Sequence, residues 1–444
     1  LLKVKTILMS MALFLLVAVL LTGCLSFSSS SKNENDISGR KTVIKFMYIW
    51  PSGSQHILVN NIISDYEKQH PNVKIETEIL ETDQYRAKLK VLAASNELPD
   101  VGMTWSDGFL KPYTQANLFT PLDHVINANF NKVFVPNVKK SYDYHGKTYG
   151  LPMEFNISYV FYNEDIFKKY NLQVPKTFTD LKYIIRVLKS HGIIPVTVGA
   201  KDGWPASFWF MYLVDRIGGP NILTDVIHGK VKMTDPAIVK AAQETQNLVD
   251  MGTFEPGESA LSNDEARNYF LNEKAAMFLT ATWELPNYVT SPYFTSEFKD
   301  KVGYFKFPLY EGGKGTNVNS YVGGPGVGLF VAQNSGVKKQ AKDFAAFLVK
   351  EWGEKSITNA GIIPATKVDT SKVELSPMYV DVLNDIKIAS NVTTYFDIQA
   401  SPGVSDLYHQ LMTALFEKQI TPEAFTKQLA NALAKEQHHI GRSF

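Results

Sequence analysis

Apolar and polar positions along this chain follow two periods that alternate. In TVIKFMYIW, Thr42 to Trp50, apolar residues fill both faces except at Lys45, as in a strand of a buried parallel sheet. Leu58, Ile62 and Tyr66, with Val59 and Ile63 beside them, make a helical stripe that stops before Pro71. NVKIETEIL then alternates as a second strand, Tyr85, Leu89, Leu92 and Ala93 mark a second helix, and LPDVGMTW reads as a short third strand. Strand, helix, strand, helix, strand within about sixty residues predicts an α/β layout.

The alternation resumes after HGKTYGLP. Thr177 and Asp180 have capping-box spacing, ahead of a stripe of Leu181, Ile184, Ile185 and Leu188 that ends at Gly192. IIPVTVGA is the next strand. Asp235 and Pro236 open a helix with Ile238, Ala241, Ala242, Thr245, Leu248 and Val249 on one face. KAAMFLTATW is a strand ending at Trp283. Three further stripes follow: Phe344, Phe347, Leu348 and Trp352; Leu407, Leu411, Ala414 and Leu415; Phe425, Leu429 and Leu433.

The N-terminal segment follows neither period. Lys3 and Lys5 precede a run from Ile7 to Leu21 that is mainly apolar, short for a membrane span of ~20 residues and laid out as a secretory signal. Leu21-Thr22-Gly23-Cys24 resembles the bacterial lipobox, in which the cysteine is acylated. Its thiolate is the nucleophile suited to that transfer. Residues 1–23 are thus expected to be a lipoprotein signal peptide and Cys24 the lipid attachment point. Cys24 is the only cysteine of 444 residues, so no thiol is left for disulfides or metal sites. Serine-rich residues 24–40 hold too few apolar residues to order themselves and are expected to tether a folded domain to the outer face of the membrane.

Charge narrows the partners. Removing residues 1–23 takes away Lys3 and Lys5 and no acid, so 45 basic side chains become 43 against 44 acidic, a net of −1. That balance argues against a nucleic-acid partner. The roughly 400 residues beyond the tether exceed what one core organises and imply two lobes.

Enzymatic motifs do not rise above chance. HGKTYG contains Gly-Lys-Thr, but a phosphate loop needs glycine where Ser141 stands, so a β-turn is the reading. No His-Glu-x-x-His helix and no Gly-x-Ser-x-Gly elbow is present. Neither a metal nor a cofactor is expected.

The tryptophans carry more. Trp50, Trp105 and Trp283 follow strands and Trp204 lies in the loop KDGWPAS, where open α/β sheets place ligands. They are interleaved with Asp107, Glu154, Glu284 and Asp397. Aromatic plates stack on the C–H faces of a sugar while carboxylates take its hydroxyls, and each face removes ~100 Å² from water at about 25 cal/mol per Å². Trp209 and Trp352 sit in helical apolar patterns and read as core.

Taken in order, ISDYEKQHPNVKIE, ELPDVGMTWSD, ANLFTPLD, HGKTYGLPMEFN, FYNEDIFKKY, NEKAAMFLTATWELP, KVGYFKFPL and VGGPGVGLFVAQNS resemble the extracellular solute-binding proteins of ABC importers, in the carbohydrate-binding group that includes maltose-binding protein. The resemblance implies two discontinuous α/β lobes, each a mainly parallel sheet flanked by helices, joined by hinge strands. On this chain one lobe would be 41–148 with 307–360 and the other 149–306 with 361–444. Trp50, Trp105, Asp107, Glu154, Trp204, Trp283, Gly324 and Asp397 fall on segments that border the family's cleft. The implied function is to capture a sugar, expected to be an oligosaccharide, and deliver it to the permease subunits of an importer, as a monomer and without catalysis. The alternatives are a lipid-anchored glycoside hydrolase, which would need the same plates and acids, and a binding protein for a non-sugar solute.

Overall fold

A computed structural model describes residues 41–440 apart from 131, 136, 137, 368, 371 and 372, with the backbone alone for 437–440. The expected signal peptide, the tether and Cys24 lie outside the described residues.

The strand β1 (Thr42–Tyr48) pairs in parallel with β2 (Val73–Ile79) and β3 (Val101–Thr104). Helices Gly53–Gln69 and Thr82–Ser95 connect them, so the opening alternation folds as its periods predict. Two shorter strands, β4 (Leu151–Pro152) and β10 (Gly328–Val331), complete a five-stranded sheet in the order β2-β1-β3-β10-β4. Its core gathers Ile44, Phe46, Tyr48, Leu58, Ile62 and Trp352, each at most 1% exposed.

A second sheet holds β5 (Phe155–Asn163), β6 (Ile194–Thr197), β7 (Ala275–Ala281), β8 (Val302–Phe305), β9 (Ser320–Pro325) and β11 (Asn391–Thr394). The order is β11-β9-β5-β7-β6, with β8 also beside β5. Alternate residues of its strands enter separate cores: Val160, Met277 and Val322 on one face, Tyr159, Phe278 and Tyr321 on the other. Period-two alternation thus reads as two buried faces, because helices cover both.

Local signals hold where they were strongest. Thr177 and Asp180 form the capping box of helix Phe178–Ser190, and Asp235 caps helix Pro236–Asp250 through a 2.8 Å bond from the Ala237 amide. HGKTYG is a turn: Asp143–Tyr144 pairs with Lys147–Thr148, and His145 and Gly146 take the positive φ of 48° and 74° that a tight hairpin demands. Trp209 and Trp352 are fully buried.

Two expectations are corrected. The sheets are mixed rather than mainly parallel: β10 runs antiparallel to β3 and β4, and β5 antiparallel to β7, β8 and β9. For β10 the reason is topological: it re-enters the first lobe after the excursion through 155–325 and so arrives in the reverse direction. The lobe boundaries also shift. Residues 307–325, expected in the first lobe, supply Phe307 and Val322 to the second lobe's core, whereas Leu151–Pro152, Ile362 and Ala365 belong to the first. The crossings therefore lie at 153–155, 326–327 and 362–366, which hydrogen-bond side by side through Gly326 N to Glu154 O (2.9 Å), Met153 N to Val327 O (3.0 Å) and Phe155 N to Ile363 O (3.1 Å). A Cβ on Gly326 would stand 2.5 Å from the Asn156 amide nitrogen and 2.9 Å from the Glu154 Cβ, so a side chain there would have to displace both neighbours.

Candidate functional site

Strand ends bring the aromatic side chains to the seam between the lobes. After β7, Trp283 meets Trp204 edge-on, with centroids 5.9 Å apart and planes at 72°. Phe208 and Tyr395 close the group, 5.9 and 6.0 Å from Trp283 and 5.1 Å from each other. Trp204 opens helix Trp204–Gly218, so Phe208 stands one turn further along the same face. Both tryptophans keep part of their surface outside the core.

On the first lobe, Trp50 follows β1 and lies on Trp352. Trp105 follows β3 and packs against the cores of both lobes. Phe109 meets its ring at 5.0 Å, and the Arg86 guanidinium lies 4.9 Å from its centroid. The lobes are in contact here: the Gln55 side-chain amide donates to Trp283 O at 3.3 Å, Arg86 Nη2 stands 3.2 Å from Asp397 Oδ2, and Lys90 holds both Asp406 oxygens at 2.7 Å.

The expected acids divide by environment. Asp107 has φ 52° and accepts from Ser106 Oγ at 2.7 Å, and burial pushes its carboxyl up to about 6. Glu154, 4% exposed on a crossing strand, is pushed up to about 8 by burial, against one long bond of 3.4 Å from Asn156. Its Oε1 has no hydrogen-bond partner among the described residues. At neutral pH it is an uncharged acid, able to donate through O–H. Asp397 behaves oppositely. Burial would raise it, but the His409 imidazole 3.4 Å away and the charge of Arg86 outweigh burial and hold it down to about 2. Glu284 is corrected: Arg267 Nε grips its two oxygens at 2.7 and 2.9 Å and Asn287 adds a bond at 2.7 Å, so it braces its own lobe. Gly324 has φ 129° beside Thr394, whose Oγ1 would lie 3.1 Å from an added Cβ.

Acids also face acids across the seam. Glu81 hydrogen-bonds Asp264, which pushes Glu81 up to about 7, and burial adds to the effect. Asp83 and Asp202 contact each other, and burial together with the Asp83 charge raises Asp202 to about 6. Among the described residues no group of three or more His, Cys, Asp or Glu side chains is placed to hold a metal, and no helix is long and apolar enough to cross a membrane.

Phe208, Tyr395, Arg86 and the seam acids were not anticipated. Helical spacing from Trp204 could have found Phe208. Arg86 carries no local signal, because its partner is 311 residues away.

Comparison with known proteins agrees with this architecture. The family model described as bacterial extracellular solute-binding protein matches residues 53–353. A solved structure described under xylan utilization by the thermophilic bacterium Caldanaerobius polysaccharolyticus is 33% identical, with a TM-score of 0.83 over 88% of this chain and 99% of that one. A chitin oligosaccharide binding protein, 22% identical, shares the fold with a TM-score of 0.81 over 89% of this chain and 98% of that one. The multiple sugar-binding protein of Streptococcus mutans is 23% identical over 75% of this chain and 76% of its own length. With the family model covering more than half of the sequence, this chain belongs to the bacterial extracellular solute-binding proteins.

Proposed function

We propose that the protein captures an oligosaccharide between its lobes and hands it to the permease of an ABC importer, held at the outer face of the membrane by a lipid on Cys24. The observation that carries this reading is the aromatic group of Trp204, Phe208, Trp283 and Tyr395 at the seam, within reach of the first lobe through Gln55. Trp204 and Trp283 are the main stacking plates, with Trp50 and Trp105 on the facing lobe. Asp107 and Glu154 serve the sugar hydroxyls, Glu154 as a donor. Asp397 borders the cleft with one oxygen already engaged by Arg86. Gly324 keeps the backbone beside the cleft free of a side chain.

Xylo-oligosaccharides are the first ligand to try, because a relative 33% identical over 88% of this chain is described under xylan utilization. The test is a thermal-shift screen of residues 41–444 against mono- and oligosaccharides. A ligand at a hundredfold its dissociation constant adds about 2.7 kcal/mol of stability. Absence of a shift with every sugar, alongside a shift with a peptide or polyamine, would overturn the sugar reading. Product analysis after long incubation separates binding from hydrolysis: intact oligosaccharide is expected.

A further inference from the structure

We propose that Asn156, Ser158 and Thr282 are positioning residues: their polar side chains set the angles at which the Trp283 and Tyr395 rings stand. β5 continues the crossing at 153–155, and its period of two sends Asn156, Ser158 and Val160 to one face. That face carries the core against which Trp204, Phe208, Trp283 and Tyr395 pack. Apolar residues would serve packing alone, yet Asn156, Ser158 and Thr282 are polar and 2%, 0% and 0% exposed. Their bonds account for the choice. Ala281 of β7 is the last residue paired with β5, opposite Ser158. Thr282 follows, and its hydroxyl takes over from the backbone ladder: Oγ1 accepts from Ile157 N at 3.2 Å and donates to Asn156 Oδ1 at 3.0 Å. The chain thus enters the single turn Thr282–Glu284 from a fixed point on β5, and Trp283 is the next residue. Asn156 directs its Nδ2 to Glu154 Oε2 on the crossing, at 3.4 Å. One rung further, Ser158 Oγ lies 3.3 Å from the Tyr395 hydroxyl, just past the end of β11.

Apolar contact tolerates small rotations of a ring, whereas a hydrogen bond fixes distance and direction. The edge-on pair of Trp204 and Trp283 keeps its shape only if one ring is held at its angle to the other. Anchoring Trp283 and Tyr395 to neighbouring rungs of one strand makes their spacing a property of β5. Every residue of this arrangement belongs to the second lobe, so it is the same whether the lobes are together or apart.

The proposal rests on reading these rings as sugar plates, so its test has one readout without sugar and one with it. Trp204 and Trp283, with centroids 5.9 Å apart and planes at 72°, couple into paired circular-dichroism bands of opposite sign, and subtracting the spectrum of Trp283→Phe isolates them. Residues 41–444 carry every core residue named above and are compared as parent, Thr282→Val, Thr282→Ser, Asn156→Leu and the double variant of Thr282→Val with Asn156→Leu. Thr282→Val keeps the volume and removes the hydroxyl, so its paired bands should shrink or shift. Thr282→Ser keeps the hydroxyl and should give the parent's spectrum. The single variants Thr282→Val and Asn156→Leu each strand a buried polar partner and should melt lower. The double variant removes both members of that bond and should regain part of the stability but not the spectrum. Calorimetric titration with xylotetraose is the second readout: affinity should fall about five- to tenfold in Thr282→Val, the worth of one buried hydrogen bond, and return in Thr282→Ser. If Thr282→Val and Asn156→Leu kept the parent's spectrum and affinity while only their melting points dropped, the three residues would be structural and the proposal overturned. A parent that binds no xylotetraose would count against that substrate, with the spectra still deciding the positioning role.

Discussion

The indole of Trp50 lies flat on that of Trp352, with centroids 4.8 Å apart and planes 2° from parallel. Trp352 is fully buried in helix Lys338–Ala360, while Trp50 keeps part of its surface outside the core. The inner ring supports the outer one, and truncation separates their roles. Trp352→Ala is expected to cost about 3–5 kcal/mol of stability, the range for large aromatic truncations in a core. Trp50→Ala should cost markedly less stability and more sugar affinity. Denaturant unfolding and calorimetry on both variants decide it; equal destabilisation would make Trp50 a packing residue only.

Trp204→Ala and Trp283→Ala should each lose roughly 1–3 kcal/mol of sugar binding, about ten- to over a hundredfold in affinity. Both rings are only partly buried, so unfolding midpoints should move little by comparison. If both variants bound as tightly as wild type but melted far lower, the plates would lie elsewhere.

Glu154 gives a pH signature in stability. Its folded-state acidity constant, pushed up to about 8 by burial, lies above the ordinary value near 4.3 that it takes when unfolded. Below both values the acid is protonated in either state and has no effect. As pH rises from about 4 to 8 the unfolded chain ionises first, so stability is lost across that window. Glu154→Gln, which stays neutral, should match wild type near pH 4 and exceed it at pH 8 by on the order of 2–5 kcal/mol. Parallel thermal melts of the two proteins at several pH values would show the gap opening; a constant gap would mean that Glu154 is ionised in the fold.

Closure should take up protons. Glu81 is raised to about 7 chiefly by its hydrogen bond to Asp264 across the seam, and Asp202 to about 6 by burial and then by the charge of Asp83 facing it. Apart, both return to values near 4. Sugar affinity should therefore rise as pH falls from 8 to 5, by a severalfold factor because the rim is open to water and screened. Calorimetry at pH 6 in two buffers of different ionisation heat measures the uptake directly. Glu81→Gln with Asp202→Asn should reduce it, the remainder coming from Asp83, which burial also raises; an unchanged uptake in that variant would assign it to other groups.

Cys24→Ser should release the folded domain from the membrane or leave the precursor uncleaved. Mass spectrometry of the membrane-bound protein is expected to show an N-terminal acylated cysteine; a mature wild-type chain that starts well after residue 24 would contradict the anchor.

Local physics settled most of the elements. A period of two or 3.6 records which face of a segment is apolar, so β1, β2, β7 and the helices bearing Ile62, Leu188 and Trp352 could be read directly. Caps and turns are equally local: Thr177 with Asp180, Asp235 with Pro236, and His145 with Gly146 act within a few residues. Tryptophans at strand ends were visible too, because the end of an apolar run is itself a sequence feature. Tertiary structure decided what each apolar face and each charge would meet. The pattern of β9 is satisfied by burial in either sheet, and only the crossing at Gly326–Val327 assigns it to the second. Glu154, Glu284 and Asp397 are equivalent as letters. One is neutral, one braces Arg267 and one pairs with Arg86, because a carboxyl's state depends on burial and on charges that the fold brings from up to 311 residues away.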